Sequence, residues 1–158
     1  KDKLPRYEKN SMIQFILIHP TLDQNAEFLN HPICKDGIHA SIEYYKTVGF
    51  NPPWVGYFVK MNNDFVGSAG YKGKPVNHKI EIAYGTFPEF QRRGVATAIC
   101  REMVNLALET DPSLIISART LPEFNYSTKV LMKNGFKFSG AVWDKDDGEV
   151  WEWIYPTH

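Results

Sequence analysis

The sequence predicts an α+β domain, and three observations carry that prediction. Strand-like runs at 54–60 and 65–71, and again at 136–143 and 149–155, are joined by turn-forming residues, which makes each pair a hairpin. Between the hairpins, an amphipathic strand at 79–86, a helix at 94–108 and an apolar run at 114–116 have the order of a crossover joining parallel strands. Finally, 158 residues that are 43% hydrophobic suffice for one core, so 1–158 is expected to be a single domain. A domain of that size hides about 70% of its extended surface without disulfide or metal staples.

Each element has its own signal. Residues 12–18 read as a strand ended by His19-Pro20, and Thr21-Leu22-Asp23 opens a short helical stretch. A helix follows at 35–48 and stops at Gly49. In the first hairpin, Asn62-Asn63-Asp64 supplies the turn; Lys72-Gly73-Lys74-Pro75 then breaks the chain. Along 79–86, the twofold period puts Glu81 and Ala83 on one face and Ile80, Ile82 and Tyr84 on the other, before Phe87-Pro88 ends the strand. In 94–108, Val95, Ile99, Met103 and Leu106 recur at helical spacing, with Ala96, Cys100 and Ala107 widening the stripe. Asp111-Pro112 terminates that helix. A last helix runs over 125–133 to Asn134-Gly135, and an acidic turn with Asp146-Asp147-Gly148 joins the final strands.

Charge and cysteine content exclude several classes. Eighteen basic and eighteen acidic residues cancel, leaving no long-range field for phosphate backbones or anionic lipid, so neither nucleic acid nor membrane is an expected partner. The apolar run at 12–18 falls far short of the roughly 20 residues that span a bilayer, and residues 1–10 lack the shape of a signal peptide. Two cysteines, Cys34 and Cys100, allow at most one bridge, which favours a reducing, cytoplasmic setting. His19, His31, His39, His78 and His158 show no metal-ligand spacing, and no metal is expected.

The strongest local signal is Gln91-Arg92-Arg93-Gly94-Val95-Ala96, set between a strand and a helix start. Unpaired N–H groups at a helix N-terminus, reinforced by the dipole, favour an anion such as pyrophosphate. Gly94 and Ala96 leave room for a ligand to approach the backbone, and Arg92 and Arg93 add positive charge. An ordinary loop with solvated arginines is the alternative.

Together with Glu81-Ile82-Ala83-Tyr84 and the later run Ser127-Thr128-Lys129-Val130-Leu131-Met132-Lys133-Asn134-Gly135-Phe136, this segment resembles the GNAT superfamily of acetyl-CoA-dependent N-acetyltransferases. The match covers about 54–155 and is most like the branch with ribosomal-protein N-terminal and small-amine acetyltransferases. The resemblance implies a mixed, mostly antiparallel central sheet flanked by helices, in which the strands at 79–86 and 114–118 run parallel and splay apart. Acetyl-CoA would lie in that wedge. Its contacts would be Tyr84, Gly85 and Thr86 on the strand, Gln91, Arg92, Arg93, Gly94, Val95, Ala96 and Thr97 at the helix start, and Asn125. Many relatives self-associate, which adds a homodimer to the expectations.

Two positions depart from the family pattern. Phe124 stands where an Asn is usual, with Asn125 one residue late, a turn of about 100° on a helix. Leu131 stands where many members carry a Tyr that protonates the departing thiolate, and Ser127 is the nearest hydroxyl.

Direct transfer to a primary amine, whether a small molecule or a protein N-terminus, requires the neutral amine. At pH 7 that costs about 4.6 kcal/mol for a lysine-like amine and only about 1 kcal/mol for an α-amine. Glu81 is the candidate base, directly or through water; the alternative is a salt-bridged strand carboxylate. Releasing a thiolate of pKa near 8.5 costs only about 2 kcal/mol, which Ser127 or water can offset, unless Ser127 bonds its own helix. Tyr44, Tyr45, Trp54 and Tyr57 are candidates to line an acceptor pocket. Trp143, Trp151 and Trp153 read as hairpin packing, and Asp144, Asp146, Asp147 and Glu149 as a solvated turn or a lure for a cationic amine. The rival function is a CoA-binding regulatory or vestigial module without turnover; a plain structural domain is a third.

Overall fold

The computed structural model describes residues 13–156. The expectations on residues 1–10, on Met12 and on His158 lie outside them. Ten regular elements follow the predicted order: β1 (Ile13–Leu17), α1 (Pro32–Val48), β2 (Gly56–Met61), β3 (Asp64–Tyr71), β4 (Lys79–Thr86), α2 (Val95–Thr110), β5 (Ile115–Thr120), α3 (Tyr126–Lys133), β6 (Lys137–Asp144) and β7 (Gly148–Tyr155). The strands form one sheet in the order β1-β2-β3-β4-β5-β7-β6. Neighbours are antiparallel except β4 and β5, which are parallel.

Both faces of the sheet are covered near its middle. Side chains alternate along β2, so Val59 and Met61 join the core that α2 fills with Ile99, Met103 and Ala107, while Phe58 packs with Cys34 and Ile38 of α1. The β2–β3 turn is tight because Asn62 and Asn63 adopt φ of 50° and 70°, which asparagine tolerates better than most residues.

Most boundaries fall within two residues of expectation, and three differences have a physical reason. Helix α1 starts three residues early, at Pro32, because proline's fixed φ and missing N–H suit a first helical turn. Trp54 precedes β2 and packs edge-on against Tyr71. Strand β5 outlasts its apolar run through Ser117 and Thr120, both buried: the Ser117 hydroxyl donates to Ile80 O at 3.4 Å, and Thr120 Oγ1 accepts from Trp153 Nε1 at 3.0 Å. Hydrogen bonds thereby offset the burial of polar groups that sequence reading counts against a central strand.

The β4/β5 pair defines where a ligand fits. Pairing runs only from Lys79 with Ile115 to Ile82 with Ala118. Beyond it, β4 stays on β3 as far as Thr86 with Gly67, while β5 stays on β7 as far as Thr120 with Trp151. The last four residues of β4 therefore have no β5 partner.

Candidate active site

Two large cavities meet at the free end of β4, and Tyr84 and Gly85 belong to the walls of both. The first, about 560 Å³, is bounded by residues 84–86, Gln91, Arg92 and Ala96 on one side and Tyr126, Ser127 and Val130 on the other. The second, about 660 Å³, lies between α1 and β2–β4. A smaller cleft of about 130 Å³ fills the wedge between β4 and β5, touching Glu81, Lys72, Arg119, Ser127 and Leu131.

The first cavity has the chemistry of an anion cradle. Gly94 caps α2 at φ 81°, ψ 7°, a left-handed conformation that costs a side-chain-bearing residue about 1–2 kcal/mol. No side chain caps this helix and no acid sits in its first turn, so the N–H groups of the opening residues and the positive end of the dipole stay available. A Cβ built on Gly94 meets nothing within 4 Å. Arg92 is itself at φ 65°; Gln91 Nε2 donates to Thr86 O at 3.3 Å, and Arg93 is turned back onto Glu89 O at 2.8 Å and over the Phe90 ring. Thr86 Oγ1 is buried without a hydrogen-bond partner. An unpaired polar atom, open space at a glycine and an uncapped helix fit a bound diphosphate and amide chain better than they fit a closed core.

Of the other expected contacts, Tyr84 borders both cavities while its half-buried ring packs against the core, where burial and the neighbouring Cys100 push the phenol far above its ordinary value. Val95 is buried, leaving only its N–H toward the cradle, and Thr97 O accepts from Asn134 Nδ2 at 3.2 Å. Asn125 does not line the cradle. Its Oδ1 accepts from Thr128 N at 3.1 Å while Thr128 Oγ1 accepts from Asn125 N at 2.9 Å, a reciprocal cap on α3. Ser127, exposed on the first turn of α3, faces both the cradle and the wedge.

Glu81 sits in an ion network. Its Oε2 is 2.9 Å from Lys72 Nζ and its Oε1 3.6 Å from Arg119 Nε. Arg119 continues to Asp144 at 2.9 Å and Glu152 at 3.8 Å, and Glu152 meets Lys79 at 3.1 Å. Burial alone would lower the Lys72 pKa, but the hydrogen bond and charge of Glu81, with Asp144 and Tyr44, hold it above the usual lysine value. Lys72 is thus a fixed cation and no base. Asp144 also accepts from the N–H groups of Asp146 and Asp147, so the acidic turn is folded on itself.

Tyr44, Tyr45 and Tyr57 do line the second cavity; Trp54 does not. Trp153 is buried and Trp151 packs on Phe138, but Trp143 is 78% exposed, so hairpin packing accounts for only two of the three. Two positions escaped sequence reading. Tyr126 borders the cradle with no motif of its own. Gly67 permits the close approach of β4: a Cβ there would lie 2.2 Å from Gly85 O. A glycine inside a strand run is the available signal for such an approach. Cys34 and Cys100 are free and buried, their thiols pushed up to about 11 and about 12 by burial. Among the described residues no His/Cys/Asp/Glu group suits a metal, and no helix is long and apolar enough to cross a membrane.

A mixed sheet whose parallel pair opens beside an uncapped helix start is an acetyltransferase-type fold. The chain belongs to the acetyltransferase (GNAT) domain family, matched over residues 9–137. It is 32% identical over 113 residues to the uncharacterized N-acetyltransferase YjdG of Bacillus subtilis, covering 70% of this chain and 62% of that protein. Solved structures share the fold at low identity. RimL, a ribosomal-protein alpha-N-acetyltransferase, superposes with a TM-score of 0.67 at 13% identity, covering 92% of this chain and 93% of that one. Aminoglycoside acetyltransferase AAC(6')-Ib, solved with coenzyme A, gives 0.64 at 17%, covering 90% and 94%. A chimera of spermidine N-acetyltransferase SpeG from Vibrio cholerae and hSSAT gives 0.68 at 13%, covering 93% and 96%.

Proposed function

We propose that the chain is an N-acetyltransferase that moves an acetyl group from acetyl-CoA to a primary amine by direct transfer. The observation that carries this reading is the meeting of two cavities at Tyr84 and Gly85, one of them under an uncapped helix start. Structural neighbours solved with CoA or acetyl-CoA support the choice of cosubstrate. Acetyl-CoA supplies an activated acetyl group. The opening N–H groups of α2 and Arg92 would hold its diphosphate, and the unpaired β4 backbone beyond Ile82 would align the pantetheine arm as an added strand does. As the amide bond forms and the C–S bond breaks, the amine loses a proton and the thiolate gains one. Glu81 takes the first through water in the wedge, because it lines that cleft and neither large cavity; Ser127, at the junction of wedge and cradle, donates a hydrogen bond to the sulfur, which takes its proton from water. Free buried cysteines fit the cytoplasmic setting of such an enzyme.

Leu131 favours a second reading. It is 1% exposed against the wedge and has no proton to give, as a CoA-binding module without turnover would allow. Melting with acetyl-CoA at about 100 times a micromolar Kd should stabilise the protein by about 2.7 kcal/mol, a rise of about 5–10 °C for this size. No shift at millimolar acetyl-CoA would end both readings; a shift without CoA release to any amine would leave the module.

A further inference from the structure

We infer that the acceptor is a small monoamine with an aromatic or bulky apolar body, and neither a polyamine nor an aminosugar. The inference rests on the acetyltransferase reading and deepens it, because the cavity concerned is the one that meets the cradle at Tyr84 and Gly85.

Its walls carry an unusual inventory of polar groups. Among the described residues lining its 660 Å³ there is no carboxylate, and the only charged group is Lys72. That ammonium is already matched by Glu81 at 2.9 Å, so the cavity as a whole offers no net charge to a ligand. Tyr45, Tyr57 and Tyr71 present rings and withhold hydroxyls, which leaves Tyr44, Ser41 and Ser68 as the lining residues whose hydroxyls are not so engaged. Tyr45 donates to Ile18 O at 2.8 Å and accepts from Gly56 N at 2.9 Å; Tyr57 donates to Pro53 O at 2.6 Å; Tyr71 donates to Met103 O at 2.7 Å. Phe58 and Phe87 complete the apolar surface, and Tyr44 and Ile33, 41% and 43% exposed, stand at the solvent side.

A ligand with two or more ammonium groups needs fixed negative charge for those not at the reacting carbon, and an aminosugar needs more acceptors for its several hydroxyls than Ser41, Ser68 and Tyr44 supply. Asp144 is spent on Arg119 and on two backbone N–H groups, and Asp146, whose charge reaches the Tyr44 phenol, is not part of the cavity wall. An aromatic amine asks for neither: its ring is taken up by the tyrosine and phenylalanine faces and its amine points to Gly85.

The test measures CoA release by the full chain with saturating acetyl-CoA and four probes: 2-phenylethylamine, spermidine, kanamycin and a tetrapeptide with an N-terminal methionine. The expected result is a kcat/KM for 2-phenylethylamine at least about tenfold above the other three. Ala40→Trp, on the exposed side of α1 where Ala40 meets the cavity, should raise KM for that amine with the acetyl-CoA melting shift unchanged. Ala40→Glu should narrow the gap to spermidine by supplying the missing carboxylate. Equal or better turnover of spermidine, kanamycin or the peptide overturns the assignment, as does a normal acetyl-CoA shift with no release to 2-phenylethylamine. Absence of the shift itself overturns the acetyltransferase reading beneath it.

Discussion

The two cavities that share Tyr84 and Gly85 are made of different material. One wall of the cradle is backbone, an uncapped helix start, a glycine at positive φ and a strand end without a neighbour, all within residues 83–97, with Tyr126, Ser127 and Val130 facing it. The other cavity is side chains, drawn from the end of β1, from α1 and from β2, β3 and β4. A backbone site serves any ligand with the same diphosphate and amide chain and changes little in kind. A side-chain site is remade by substitution, which is how one fold takes different acceptors.

The sharpest way to separate the two is to fill one. Gly94→Trp places a large side chain where a Cβ has no protein neighbour, so the fold should survive with the strain of one left-handed residue. Acetyl-CoA affinity should fall at least about 100-fold, equivalent to about 2.7 kcal/mol, while an amine titrated by calorimetry still binds. Unchanged acetyl-CoA affinity would remove the diphosphate from this place.

The same contrast explains what could be read from the sequence. The cradle was legible because its parts are contiguous: Gln91 to Ala96 need one glycine, one small residue and a following helical stripe. The sheet was legible from hairpin turns and from one amphipathic helix between two strands. The wall of the other cavity was legible only in part: Tyr44, Tyr45 and Tyr57 stand out as aromatic candidates, whereas Ile33, Ser68 and Phe87 join them only through the tertiary fold. Asn125 and Glu81 fell between. Their residue types were visible, but that Asn125 would cap α3 and that Glu81 would lie between Lys72 and Arg119 depends on partners 3 to 38 positions away.

Glu81 lines neither large cavity but neutralises Lys72 in the wall of the second, so its loss should spare acetyl-CoA binding. Glu81→Gln keeps a hydrogen bond to Lys72 and loses the charge; kcat should fall by about 100-fold, the lower end for acid–base catalysis. The rise of kcat with pH should flatten while KM for acetyl-CoA holds. An unchanged pH–rate profile would leave Glu81 as a structural ion pair only.

Gly67→Ala strikes the shared wall itself. The new Cβ, 2.2 Å from Gly85 O, must push on backbone rather than on a flexible side chain, at a cost of about 1–3 kcal/mol. Urea melts should show that loss, and both acetyl-CoA and amine affinities should fall together, unlike the one-sided effect of Gly94→Trp. A one-sided result here would mean that the cavities do not share β4 as a common support.

The smallest effect lies at the far side of the ion network and tests whether it stiffens the wedge. The N–H groups of Asp146 and Asp147, with Arg119, hold the Asp144 carboxyl below its ordinary value. An acid whose pKa is depressed on folding contributes stability above its unfolded value, near 3.9, and loses it as pH falls through the folded value. Stability should therefore decline with pH from about 4 downward, and Asp144→Asn should flatten that decline and lower stability at neutral pH. Because Arg119 keeps Glu81 and Glu152 as partners, the turnover of an amine at pH 7 should change little. A large fall in turnover would show that the orientation of Glu81 depends on the whole network, and would move Asp144 from fold support to a positioning residue.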